Sequence, residues 1–363
     1  MLHLTAFIGV VLAICVLRPL APAAGLIDLP GGRRQHADAV PLIGGLAIAQ
    51  GLLLALALQA GTGLGGPVSG QLPPPPALLA AALVVLAGGL LDDLHELSAR
   101  VKLLFQIIAA SLLAGWGGTL VLHVGALVSP EVQGLGVALV VPFTVLGMVG
   151  VMNAVNMIDG ADGLAGGVAL SALLWFGVAA ALAGLAGHAW LISLLASAVA
   201  AYLCFNAGGP LARKYKVFLG DAGSLLLGLL LAWIAIELAM APAAAVSPIA
   251  AVWILAVPIC DSVSLMLRRM LRRRSPFSAD REHLHHVLQD AGLSRAAAVG
   301  LMVAINTAFG GIALWAQRNG VPEHYLFYSA MFIFVAYTGF CLRFYAQRTS
   351  AAAAAAAPLS LRR

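Results

Sequence analysis

The chain has 363 residues, 61% of them hydrophobic and only 10% charged, with a mean hydropathy of +0.98. A soluble domain is about a quarter charged, so this composition excludes one and specifies an all-α polytopic membrane protein. The formal charge of +5 fits a membrane protein's basic inner face rather than a nucleic-acid surface, and four cysteines in apolar runs with no CxxC pair exclude a disulfide framework or zinc site.

In chain order, eleven apolar runs read as membrane helices: 2–20, 40–60, 77–92, 102–122, 135–153, 163–184, 186–205, 222–240, 246–267, 296–316 and 324–345. The first is a retained span rather than a signal peptide. "APAAG" follows it, but no positive charge precedes it, and Arg18 comes only at its end. Forty glycines and many alanines suit close helix contact. The "QLPPPP" between the second and third runs is a stiff extended spacer.

Eleven crossings place the termini on opposite sides. Segments 25–40, 93–101, 154–162, 206–221, 268–295 and the tail after 345 then share one face, which takes 19 of the 20 Lys and Arg; only Arg318 lies opposite. That face is expected to be cytoplasmic, with the N-terminus outside. Residues 1–345 are expected to form one transmembrane catalytic domain with its active-site loops on that face, and 346–363 a low-complexity, frayed tail.

The acids follow the bases. Twelve of 15 Asp and Glu gather on the same face, all but Glu131, Glu237 and Glu323. They are Asp28, Asp38, Asp92, Asp93, Glu96, Asp159, Asp162, Asp221, Asp261, Asp280, Glu282 and Asp290. The positive-inside rule does not ask this of acids. Ionisable groups at or inside a span are costly and mark function. Carboxylates drawn from several loops suit a hard, oxygen-seeking cation such as Mg²⁺.

Four stretches carry this signal. In "GGLLDDLHELSARVK", the adjacent Asp92 and Asp93 repel, so they call for a cation, a shared proton or a basic partner; a helix cap is the plainer use. In "NAVNMIDGADGL", spacing by three predicts Asn153, Asn156, Asp159 and Asp162 on one side of a helical turn, with an Asx-turn as the plainer use. In "FLGDAGS", Asp221 between glycines opens an apolar run, where a helix N-terminus favours phosphate and Asp221 would hold the metal bridging it. Asp221 or Ser224 could instead simply cap that helix. Phe218 beside them could stack on a base or sit as an interfacial aromatic.

In "RRMLRRRSPFSADREHLHHV", arginines 268, 269, 272, 273 and 274 read mostly as membrane anchors. His283, His285 and His286 beside Arg281 can donate to phosphate oxygens, and the HExxH and CxxC partners of a zinc site are missing. No GxxxxGK[ST] and no strand-following GxGxxG occurs, so no ATP-binding loop or nucleotide-binding soluble domain is visible. Catalysis would occur at the membrane face, as phosphoryl transfer between a soluble donor and a lipid.

These four motifs, in this order, resemble the polyprenyl-phosphate N-acetylhexosamine-1-phosphate transferase family between about residues 25 and 293. The segment "SPFSADREHLHH" looks most like the branch that uses UDP-N-acetylglucosamine. The resemblance implies that donor, undecaprenyl phosphate as acceptor, and UMP with undecaprenyl-diphosphate-GlcNAc as products, initiating an O-antigen-like surface polysaccharide. It implies Mg²⁺, with Mn²⁺ as a substitute, and a multi-pass protein of the bacterial inner membrane. A homodimer is compatible with it, and nucleic acid is no partner. Carried over by motif, Asp221 with Asp93 holds the metal, and Asp92, Asp93, Asp159 and Asp162 are the catalytic candidates. Asn153, Asn156, Phe218, Asn206, Arg281, His283, His285, His286, Asp28, Asp261 and Lys102 are the substrate-binding candidates. Glu96 departs from the family pattern, where Asp is frequent.

Two alternatives stay open. The donor could be another UDP-N-acetylhexosamine, including one serving peptidoglycan precursors. From a different class, a multi-span transporter also carries intramembrane acids, although its site would lie near the midplane and within internal repeats, and none is visible. The chemistry is read as direct attack of the lipid phosphate, with a covalent aspartyl-phosphate as its rival.

Overall fold

The computed structural model describes residues 1–29, 39–62, 75–127, 137–241, 244–276, 278 and 281–356. Asp38, Glu131, Asp280 and residues 71–74 of the spacer lie outside them. The described residues form fourteen helices and one short ribbon. They run α1 (Leu2–Leu20), β1 (Ile27–Asp28), β2 (Val40–Pro41), α2 (Gly44–Thr62), α3 (Pro75–His95), α4 (Ala99–Gly115), α5 (Val137–Ile158), α6 (Leu164–Leu182) and α7 (Ala186–Asn206). Then follow α8 (Pro210–Tyr215), α9 (Gly220–Met240), α10 (Pro248–Ile254), α11 (Ala256–Leu271), α12 (Leu284–Asp290), α13 (Arg295–Arg318) and α14 (Glu323–Ala356). The all-α polytopic expectation holds.

Nine described helices are long and apolar enough to cross a membrane, and α10 with α11, bent by 84°, makes a tenth. The remaining expected run, 102–122, differs. Its helix α4 has only 17 residues and gives way to irregular chain after Gly115. The crossing is completed without helix: Lys102 meets Asp221 at the start of α9, and Thr119 donates to Glu237 near its end, at 2.6 Å. Among the described residues, this part-helical passage stands beside the nine spans and the bent pair.

α9 is the axis. Its apolar window is 78% buried, the highest of any span, and α2, α3, α5 and α6 pack around it. Such a helix, apolar on all sides, belongs inside a bundle. By contrast α14 is only 17% buried and lies on the outside against α10 and α11. It also runs past residue 345 to Ala356, because the alanine-rich start of the tail is made of the strongest helix former.

Candidate active site

The site is built on the N-terminus of α9. Gly220 there adopts φ +74°, and a Cβ on it would stand 2.7 Å from the Asp93 carboxylate. On α3, Gly89 lets the two backbones touch, since a Cβ there would lie 2.3 Å from the Ala222 Cα. Asp93 is four residues on, on the same face of α3. Its carboxylate accepts the N–H of Asp221 at 2.8 Å and of Ala222 at 3.2 Å. A helix start leaves such donors unpaired and carries partial positive charge, so a carboxylate is the fitting partner. The cap expected from Asp221 or Ser224 is thus supplied by another helix; Ser224 instead donates back to the Gly220 carbonyl at 3.0 Å.

Asp92 turns the other way. Its Oδ1 accepts the Leu97 N–H at 2.7 Å, closing the turn after α3, where Glu96 takes the left-handed φ of +50°. Buried Asp92 pairs with the Lys102 ammonium, which also reaches Asp221 at 3.1 Å. The other Asp221 oxygen accepts from Asn156 at 2.5 Å, and Asn156 donates to Ser224 at 2.9 Å. The basic partner that adjacent aspartates call for is therefore Lys102.

The expected single face of "NAVNMIDGADGL" does not form. α5 ends at Ile158, so Asp159 and Asp162 lie in the turn beyond it, because the two glycines there favour a turn over helix. Asn153 faces Gln106, donating at 2.5 Å, and only Asn156 reaches Asp221. Burial, then the charges of Asp221, Asp93 and Asp162, push the Asp159 carboxyl up to about 8. Asp162 pairs with Lys216 at 2.6 Å, and the Lys216 ammonium stands 5.0 Å over the Phe218 ring. Phe218 is fixed by β2: its N–H donates to the Pro41 carbonyl at 2.8 Å. Asn206 ties the neighbouring turns, accepting from Gly163 N–H at 2.6 Å and donating to the Val217 carbonyl at 3.0 Å.

The histidine loop is gripped from behind. Fully buried Asp261 accepts the Leu284 N–H at 2.9 Å and the Tyr337 hydroxyl at 2.7 Å, and His283 Nδ1 lies 2.8 Å from it. Buried Arg268 donates to the Glu282 carbonyl at 2.9 Å, Arg272 to its side chain at 2.5 Å, and Tyr345 to the Arg281 carbonyl at 3.1 Å. These two arginines are internal ties rather than anchors. Burial, then the neighbouring His286 and His283, hold buried His285 down to about 3; burial, then Arg281, hold His286 down to about 4. Both imidazoles are neutral at pH 7, so each can donate one N–H.

A cleft of about 1010 Å³ joins these parts at the basic end of the bundle. Asp28, Asp92, Asp93, Lys102, Asn156, Asp159, Asp162, Asn206, Phe218, Asp221, Arg281 and His286 all line it. Asn153, Asp261, His283 and His285 do not; they lie behind the wall. Lys216 and Arg295 line it as well, and sequence reasoning missed them. For Lys216 the available signal was its place two residues before Phe218; Arg295, opening α13, had none.

The cleft's donors are carboxylate and amide oxygens, the chemistry of a hard divalent cation. Among the described residues no three His, Cys, Asp or Glu side chains already surround one point. Mg²⁺ needs none, since it typically uses one or two carboxylates and completes its shell with water and phosphate. Asp221, with Asp93 beside it, fits that role.

The sequence model of glycosyl transferase family 4 matches residues 76–239. The undecaprenyl-phosphate alpha-N-acetylglucosaminyl 1-phosphate transferase of Escherichia coli strain K12 is 31% identical over 337 residues, covering 90% of this chain and 86% of the relative. The protein of that name from Haemophilus influenzae is 34% identical over 333 residues, covering 91% and 90%. The one from Yersinia pestis is 29% identical over 334 residues, covering 90% and 87%.

Proposed function

Because the chain belongs to glycosyl transferase family 4 and is a membrane phosphotransferase, we propose that it transfers N-acetylglucosamine 1-phosphate from UDP-N-acetylglucosamine to undecaprenyl phosphate. The products are UMP and undecaprenyl-diphosphate-GlcNAc, which begins a lipid-linked surface polysaccharide. One observation carries this reading: Asp92, Asp93, Asp159, Asp162 and Asp221 share one open cleft with Lys102, Arg281 and His286, at the end of a helical bundle. The concentration of Lys and Arg at that end supports a cytoplasmic cleft in the inner membrane. A transporter reading falls with the family's enzymatic nature.

Phosphoryl transfer asks for positioning and charge neutralisation. In this reading Phe218 stacks on the uracil, with Lys216 and Asp162 fixing its surroundings. Arg281 and neutral His286 donate to diphosphate or sugar oxygens. Lys102 neutralises phosphate charge, and Asp92 orients the acceptor or takes its residual proton. A phosphate monoester has a second pKa of about 6, so the acceptor is already mostly dianionic and needs no strong base. An acceptor oxygen attacks the sugar-bearing phosphorus directly, that phosphorus–oxygen bond forms, and the bond to UMP breaks. Asp221, with Asp93 beside it, would hold Mg²⁺, which when bound would supply charge neutralisation for the donor's diphosphate and the departing UMP.

The test is release of UMP by purified full-length protein offered a panel of UDP-sugars, with and without undecaprenyl phosphate and Mg²⁺. Release that requires UDP-N-acetylglucosamine, the lipid and the metal together is expected. Release without the lipid, or equal use of every UDP-sugar, contradicts the reading. A phosphosugar trapped on an aspartate would replace direct attack with a covalent intermediate.

A further inference from the structure

Away from the cleft lining, α1 and α8 bring together a set of cations. Arg18 stands in the last turn of a spanning helix, and its guanidinium lies 5.6 Å from the centre of the Tyr215 ring. The Lys214 ammonium lies 5.1 Å from the same ring, and Arg213 is exposed beside it. Arg18 also reaches the Lys214 carbonyl at 3.5 Å, while its Nε is buried with no hydrogen-bond partner. Among the described residues, no carboxylate pairs with Arg18, Arg213 or Lys214. Leu20 at 57% and Leu211 at 43% exposure are large apolar side chains on the same two helices.

Two cations sharing one aromatic ring repel each other. The ring offsets only about 0.5–1 kcal/mol for each at an exposed site. A buried N–H without an acceptor adds a further cost. A single phosphodiester anion placed between the two cations relieves their repulsion. The exposed leucines of α1 and α8 give acyl chains apolar surface to lie on, which free phosphate would not use. None of these side chains lines the cleft, so the anion they hold is not the reacting one.

We propose that Arg18, Arg213 and Lys214 form a binding site for the headgroup of an anionic diacyl phospholipid, clamped between the end of α1 and α8. The experiment reconstitutes the full chain in vesicles of equal parts phosphatidylcholine and phosphatidylglycerol, then measures retained lipid by native mass spectrometry after mild extraction. Preferential retention of phosphatidylglycerol is expected, weakened about fivefold for each cation removed in Arg18→Gln and Lys214→Gln. Arg18→Lys with Lys214→Arg should retain it. Retention that is unchanged in the double Gln variant overturns the proposal. If the Arg18 change prevents folding, Arg213→Gln alone, on an exposed turn, must show the fivefold loss; unchanged affinity there overturns it equally. Added undecaprenyl phosphate separates the two lipid sources: retention should survive it, and displacement would assign the site to the acceptor instead. The readout needs no turnover, so it stands or falls apart from the proposed reaction.

Discussion

The Asp93 carboxylate accepts the backbone N–H of Asp221 at 2.8 Å, so a side chain of α3 fixes the start of α9. The same contact holds Asp221, the residue best placed for a cation, at a set depth in the cleft. Caps of this kind are worth about 0.5–2 kcal/mol. Asp93→Ala is expected to lower stability by about 1–2 kcal/mol in detergent-solubilised thermal melts. Asp93→Asn keeps an acceptor and should lose less than half as much, while activity falls in both. Equal melting of Asp93→Ala and the parent protein would dismiss the capping role.

Lys102 joins Asp92 and Asp221, and removing its charge leaves two acids facing each other. Lys102→Gln is expected to reduce kcat/KM about 100-fold or more, the scale seen when one preorganised electrostatic donor is lost. Lys102→Arg should recover part of this, because the charge is kept but the point geometry is not. Steady-state kinetics on both variants decides it, and a Lys102→Gln enzyme near parental rate would remove Lys102 from the chemistry.

Phe218 and Lys216 make a separable prediction. Stacking on a base is worth about 1–3 kcal/mol, so Phe218→Ala should raise KM for the UDP-sugar about tenfold or more. The acceptor KM should hardly move. A Phe218 variant that changes only the acceptor KM places the nucleotide elsewhere.

The histidine loop predicts a pH dependence. The ordinary imidazole pKa is about 6.5, but folding holds His285 down to about 3 and His286 to about 4. Between those limits these two imidazoles bind more protons in the unfolded chain than in the folded one, so their contribution to stability rises with pH there. The contribution is complete above about pH 6.5 and is lost as pH falls toward 4 and then 3. Asp159, held up to about 8, pulls the other way in parent and variant alike, so the histidine part is read by difference: on acidification His286→Gln should gain melting temperature relative to the parent. A difference between variant and parent that stays flat with pH would take His286 out of the pH dependence.

The ties behind the loop are tested without touching the cleft. Tyr337→Phe removes one hydrogen bond to buried Asp261 and should cost about 1 kcal/mol. Arg268→Ala leaves the Glu282 side chain and carbonyl short of a buried partner and should cost about 3 kcal/mol or more. If these residues only position Arg281 and His286, Tyr337→Phe shifts the donor KM more than kcat. A full loss of kcat with parental KM would instead draw Tyr337 into the reaction.

Hydropathy alone made the bundle legible, because lipid allows little besides helices. The cleft's acids were legible too, since charge at a span's edge needs a reason. What stayed hidden depended on direction. Neighbours Asp92 and Asp93 diverge, one to Lys102 and one to the start of α9, and no spacing rule separates them. Asn153 and Asn156 share a helix yet serve Gln106 and Asp221. Pro258, with no N–H to give the Ile254 carbonyl, marks the break between α10 and α11 but not the direction of its 84° bend. Lys216 and Arg295 are single basic residues that only tertiary packing brings to the cleft.

The grip of Tyr337 and Tyr345 on the histidine loop has a consequence for biogenesis. α14 is the last described helix to leave the ribosome, yet it holds the backbone carrying Arg281 and His286. A nascent chain with every earlier described helix inserted would still have slack in the wall that carries Arg281 and His286. Competence of the cleft would then switch on late, once α14 docks against α11.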